Sequence, residues 1–157
     1  LSVVVAGSVY AAAQAPGGIG RVFFGFVAGR FLPPLLVLAG LAALSAAAAV
    51  TTTLFTPDWP LAAIYGVSVI FGACALGWNG VFIAETARLS PPGDVGRIIG
   101  AISAIVFAAT IVGPGLFTAV LAVATYSVAY LGTAAFSAAA IVSFLNIRKA
   151  ERRASGD

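Results

Sequence analysis

Histidine and methionine are absent from the 157 residues, cysteine occurs once, and charged side chains make up only 8% of the chain. Without histidine there is no His-ligated haem, little scope for zinc chemistry and no Ser-His or Cys-His catalytic arrangement. The single Cys74 allows neither an internal disulfide nor a CxxC metal site, and in its apolar run a thiol behaves as a small hydrophobe. No metal or other cofactor is called for, and no G-x-x-x-x-G-K-S/T nucleotide loop occurs. Soluble domains are roughly one quarter charged, about three times the proportion found here. With 61% hydrophobic residues and a mean hydropathy of +1.09, the chain lacks the polar surface needed to cover itself in water. These shortages point to an all-α integral membrane protein whose first partner is the lipid bilayer.

What charge there is marks the topology. The net charge of +3 and pI of 9.5 could suit nucleic acid, but the eight basic residues are strung along the chain rather than gathered on one polar face. Nucleic acid is therefore not expected as a partner. Uncharged stretches cover residues 1–20, 31–57, 59–84 and 98–147. A bilayer core about 30 Å thick needs roughly 20 helical residues. The first three stretches hold one span each and the last holds two, which predicts five transmembrane helices at 1–28, 35–53, 61–86, 98–124 and 127–147. Residues 1–147 then form the membrane domain and 148–157 a basic tail. Pro33-Pro34, the Thr56-Pro57-Asp58-Trp59-Pro60 segment and the Ser90-Pro91-Pro92-Gly93-Asp94 segment are strong helix breakers. The break near Thr125-Tyr126-Ser127 rests on length alone, since a single helix over 98–147 would run about 75 Å. Arg30, Arg88, Arg97, Arg148, Lys149, Arg152 and Arg153 all fall on one side of this arrangement, and no Lys or Arg falls on the other. The positive-inside rule makes that side, with the C-terminus, cytoplasmic, and the expected location is the cell inner (plasma) membrane, multi-pass.

The N-terminus is apolar from Leu1 onward. Ala13-Gln14-Ala15 mimics a signal-peptide cleavage site, but no basic segment precedes it and Pro16 would follow the cut. The expectation is a fragment whose upstream residues are absent.

Polar residues within the spans are few and aligned. Tyr10, Gln14 and Arg21 share a face of the first helix, with Gly17 between them. On the third, Tyr65, Ser68, Gly72, Ala75 and Asn79 form a stripe with Trp78 adjacent, and on the fourth Ser103, Phe107, Thr110 and Pro114 align. Polar groups are costly in hydrocarbon, so these three faces should point at protein or at a water-filled cavity. Ser68, Ser103 and Thr110 fit packing and backbone hydrogen bonds, whereas Gln14 and Asn79 suit packing and ligand contact equally. Arg21 lies about 13 Å along the helix from Arg30, too deep to reach the interface easily, and its span holds no acid. That makes it the first functional candidate, with an ion pair to a missing part of the protein as the rival. Small-residue pairs at Gly25 and Gly29, and at Gly96, Gly100, Ala104 and Ala108, suggest helix packing. The second and fifth helices read as peripheral and lipid-facing.

Several segments resemble the C-terminal half of the major facilitator superfamily. Residues 25–34 read Gly25-Phe26-Val27-Ala28-Gly29-Arg30-Phe31-Leu32-Pro33-Pro34, which is similar to the family's cytoplasmic loop motif G-x-L-A-D-R-x-G-R-R at Gly25, Ala28 and Arg30, with Gly29 at the acidic position. The segment from Glu85 to Gly100 resembles the loop between the tenth and eleventh helices. The Ile111-Val-Gly-Pro-Gly-Leu-Phe-Thr118 run resembles the Gly-Pro break of the eleventh, and Arg148-Lys149-Ala-Glu-Arg152-Arg153 resembles the basic exit from the twelfth. The resemblance implies that the five spans are helices 8 to 12 of a twelve-helix bundle. Helix 7 and the N-terminal half of the transporter would then be missing. It further implies that the first, third and fourth spans line a central cavity while the second and fifth lie outside.

The function this predicts is part of a secondary permease moving a small solute by alternating access. Arg21, Gln14, Tyr10, Asn79, Trp78, Tyr65, Phe107 and Thr110 are the candidate substrate contacts, and Gly25 and Arg30 the loop motif. Arg21 makes an organic or inorganic anion the favoured substrate class, with Asn79 and Trp78 as secondary contacts. A small accessory or scaffold subunit without transport of its own is the alternative. A membrane enzyme would have to use Glu85 and Asp94, and no nucleophile here has a base beside it.

Overall fold

The computed structural model describes residues 2–155, and they are all-α. The helices are α1 (Val3–Gln14), α2 (Pro16–Val27), α3 (Pro34–Thr53), α4 (Leu61–Leu89), α5 (Val95–Val123) and α6 (Tyr126–Ser155). Four of these, α3 to α6, are long and apolar enough to cross a membrane. A multi-pass membrane protein is what such helices make.

The breaks follow local chemistry. Pro34 starts α3, where its missing N–H costs nothing, and Pro60 immediately precedes α4. Gly29 (φ 83°) and Gly93 (φ 92°) adopt the left-handed backbone that closes the turns before α3 and before α5. Between α5 and α6 the chain turns at Ala124, which is fully extended, and the Thr125 hydroxyl accepts the Val128 N–H at 3.4 Å. Length placed this turn in the sequence, and an N-capping threonine makes it.

The first expected span is interrupted. Ala15 keeps helical torsions (φ −55°, ψ −44°), but Pro16 begins a new hydrogen-bond ladder, so residues 3–27 form two helices of 12 residues each. End to end they cover roughly 36 Å at 1.5 Å per residue. At the other terminus α6 runs on to Ser155, so most of the expected tail is a continuation of the last helix.

α4 is the hub. It packs against α1 and α2 on one side and α3 on another, and α3 makes the most extensive contact in the protein with α6. The core joins Val37, Leu38 and Leu41 of α3 to Cys74 and Val81 of α4, with Phe24, Trp78 and Phe144 packed around them. Two expectations are corrected here. The second predicted span, α3, is the most buried helix and not a peripheral one; Leu35, Val37, Leu38, Ala39, Leu41, Ala48 and Ala49 are all buried. Its alanines let α6 approach closely, and hydropathy cannot distinguish that surface from one facing lipid. Conversely α5, expected to pack through Gly96 and Gly100, buries no residue, and both glycines face open space.

The glycines that do bring backbones together are others. Gly72, Gly77 and Gly80 of α4 meet Ala13, Phe24 and Arg21, and Gly17 and Gly20 of α2 meet Leu76 and Ala73. A Cβ at Gly80 would sit 2.8 Å from the Arg21 carbonyl oxygen, and one at Gly72 would overlap the Ala13 carbonyl outright. The crossing of α1–α2 over α4 is therefore a backbone-to-backbone contact that only glycine permits. Gly25, expected to pack with Gly29, has nothing near it, and Gly29 lies past the end of α2.

Candidate functional site

Around α4, three flanks do different things. Gly72, Leu76, Gly77 and Gly80 face α1 and α2; Phe71, Cys74 and Trp78 face α3 and α6; Asn79, Phe82 and Ile83 face α5. A 100° step per residue produces this partition. It separates several residues that sequence alone grouped together.

Tyr10 and Gln14 are joined, one turn apart on α1, by a 2.7 Å hydrogen bond from Gln14 Nε2 to Tyr10 Oη. Tyr65 reaches across from α4 to α1, where its hydroxyl lies 2.5 Å from Ser8 Oγ. Ser8, Tyr10 and Gln14 are exposed and Tyr65 is partly buried. Arg21 points its Nε at the Leu76 carbonyl oxygen of α4, 3.3 Å away, and the rest of its guanidinium is exposed. No acidic side chain pairs with it among the described residues.

Asn79 and Phe107 do meet. With Ser103 and Phe82 they line a small cleft of about 70 Å³ between α4 and α5. Asn79 is half-buried and its amide makes no side-chain hydrogen bond among the described residues. Thr110, one turn further along α5, donates to its own helix at Val106 O (2.9 Å), which satisfies it without a ligand. Trp78 belongs elsewhere. Its indole Nε1 donates to Ala75 O at 3.0 Å, and the ring lines the cleft between α3, α4 and α6. It does not converge with Asn79 or with Arg21.

Arg30 lies in the turn after α2, its guanidinium 5.6 Å from the Phe26 ring centre and 6.0 Å from that of Phe31. Such stacking orders an exposed arginine at modest gain. Gly25 is in open space one turn earlier.

No protein-family model, curated protein or solved structure matches the chain. The site must be judged on its own chemistry.

One pairing was not anticipated. Glu85, at the end of the third expected span, is on α4 and only 6% exposed, held bidentately by Arg88 at 2.7 and 2.6 Å. Across the turn, Asp94 pairs with Arg97 at 3.2 Å in the same i, i+3 spacing. Each carboxylate is thus engaged by its own arginine rather than by the other, an arrangement that suits charge neutralisation at a helix end. The i, i+3 spacing was visible in the sequence, and only the continuation of α4 to Leu89 brings it into play.

Proposed function

We propose that this chain is part of a secondary membrane transporter, a major-facilitator-like bundle in which it supplies five crossings, the first being the interrupted α1–α2 pair. The observation that carries the reading is the segregation of polar side chains about α4. No amide or charge occurs in α3, and none in α6 before Asn146, whereas Gln14, Arg21 and Asn79 all lie on α1, α2 and the α5-facing side. The α5 side, where Asn79 lies, is also incomplete, because α5 buries no residue along its length. A face that is both polar and uncovered is what a half-cavity presents before the opposing helices close it. Arg21 supports an anionic solute, since its guanidinium stays charged and offers a planar fork to a carboxylate or phosphate. Alternating access then needs only a difference in affinity between two arrangements of the bundle, with no bond chemistry.

The uncovered α5 also fits a second reading, a small accessory subunit that docks α5 on a larger partner. Variants of Arg21 in the protein that carries this chain separate the two. If Arg21 binds solute, Arg21→Lys and Arg21→Gln insert normally and lose substrate affinity in uptake assays, Gln more than Lys, because Lys keeps the charge and loses the fork. Loss of assembly with unchanged affinity in the surviving complexes would instead favour the accessory subunit. The isolated chain, reconstituted in vesicles, is expected to give no saturable flux; selective saturable flux from it alone would refute the need for a second bundle.

A further inference from the structure

A second, larger cleft lies away from Arg21 and Asn79. It opens between α3, α4 and α6, has a volume of about 400 Å³, and is walled by Phe71, Cys74, Trp78, Phe136 and Phe144, with Ser45 on α3. Its other polar groups are already engaged. Thr133 donates to Ala129 O (3.2 Å), Ser137 to Thr133 O (3.1 Å), and Trp78 to Ala75 O (3.0 Å). The cleft therefore offers a ligand hydrocarbon contact and little else, and Phe136 at its edge is 83% exposed.

Its shape decides between occupants. From Thr133 to Phe144 it follows α6 for roughly 16 Å. That is about half of a 30 Å bilayer core, the depth of one leaflet. Spread over that length, 400 Å³ leaves a cross-section of about 25 Å². A helix with side chains is about 10 Å across and needs about 80 Å². A single methylene chain, about 4–5 Å wide at van der Waals contact, needs roughly 20 Å². The groove is too narrow for a helix and wide enough for an acyl chain.

One end of the groove is basic. Ala140, Phe144 and Arg148 repeat every four residues on α6, so the lining face runs directly to a half-buried arginine. Lys149 and Arg152 follow. Arg88, 61% exposed while bound to Glu85, stands at the adjoining end of α4, where Glu151 of α6 acts on it electrostatically. Four basic side chains against two carboxylates leave this mouth positive, on the side that the basic loops mark as cytoplasmic.

We propose that the α3–α4–α6 cleft binds one anionic phospholipid of the cytoplasmic leaflet, its acyl chain along Trp78 and Phe144 and its phosphate at Arg88 and Arg148. Basic pockets between helices on the cytoplasmic side are chemically suited to anionic head groups. This site does not depend on the transport reading; it needs only that α3, α4 and α6 lie in a bilayer.

The chain's two tryptophans make the test direct. In a Trp59→Phe background Trp78 is the only indole, and bromine on an acyl chain quenches it on contact. The protein is reconstituted in phosphatidylcholine vesicles doped with dibrominated phosphatidylglycerol or dibrominated phosphatidylcholine. Half-maximal quenching is expected at a mole fraction at least about fivefold lower for the glycerol lipid, with Arg148→Gln removing about that factor and leaving the choline curve unchanged. Molar salt should narrow the difference in the same way. Superimposable curves for the two lipids would mean bulk lipid only, and absence of quenching by either would mean that protein covers the cleft; both overturn the site. The comparison of lipids on the unaltered basic mouth stands even if Arg148→Gln fails to insert.

Discussion

Substituting Gly72 with alanine tests the crossing of α1 over α4, and two effects of opposite sign decide the outcome. In a helix interior, Gly→Ala removes backbone freedom from the unfolded chain and stabilises by roughly 0.5–1 kcal/mol. At Gly72 the added Cβ overlaps the carbonyl of Ala13, which is backbone and cannot rotate aside. The helices must part by something on the order of 1 Å, and overpacking of this kind costs typically 1–3 kcal/mol. Separation also weakens the neighbouring contacts of Gly17 and Gly80, whose own Cβ positions are blocked by Leu76 and by the Arg21 carbonyl oxygen. The overlap wins, for a net loss of about 1–2 kcal/mol. Gly100→Ala is the control. Nothing lies near Gly100, so only the favourable effect remains. Cys74, the one cysteine and only 3% exposed, reports the result through a thiol-reactive dye that labels it on unfolding in mild detergent. For a chain of this size the expected shifts are about 3–7 °C downward for Gly72→Ala and a few degrees upward for Gly100→Ala. If both variants move the transition in the same direction, α1 does not cross α4 at this glycine and the packing scheme fails.

The same dye checks the buried carboxylate: Arg88→Ala should destabilise clearly more than Arg97→Ala, because it strands Glu85 at 6% exposure while Asp94 is 45% exposed. Adding Glu85→Gln should restore most of that loss, and failure to do so would mean that Arg88 acts through other contacts. Topology is checked in a Cys74→Ala background, where an impermeant thiol reagent on intact cells should label a cysteine at Thr56 and spare one at Ser90. The reverse pattern would invert the assignment of the basic loops to the cytoplasm.

Much of the architecture was legible because it depends on one-dimensional information. Gaps between charges marked α3 to α6, and prolines fixed the starts of α3 and α4 to within one residue. Helix neighbours were not legible, for a physical reason. In a bilayer the protein interior and the lipid are equally apolar, so the buried face of α3 and the bare face of α5 have the same hydropathy. Four-residue glycine spacing was equally ambiguous: Gly96 and Gly100 have it and touch nothing, while Gly72 and Gly77 lack it and make close contacts. The Tyr10–Gln14 pair followed helical periodicity. The placing of Trp78 did not, because one residue is a 100° turn and moves a side chain from one neighbour to another.

Arg21 constrains what surrounds the polar flank more than any other residue. Its backbone is fixed at the crossing, with the carbonyl against Gly80, so the side chain cannot withdraw by sliding α2. Its hydrogen bond to Leu76 O uses a second lone pair on a helix carbonyl and neutralises no charge. Among the described residues the acids are Asp58, Glu85, Asp94 and Glu151; Glu85 and Asp94 are engaged by arginines of their own, and Asp58 is in the turn before α4. If α1–α2 is the fifth crossing proposed above, leaving this guanidinium unpaired against lipid costs at least about 2.5–3.5 kcal/mol. Rotating α2 to hide it would break the contacts of Gly17 and Gly20 with α4, which hold the crossing together. The lower-energy arrangement keeps α2 where it is and covers its exposed side with water, an anion or a carboxylate from further helices. Any of the three turns the side of α2 that bears Arg21 inward.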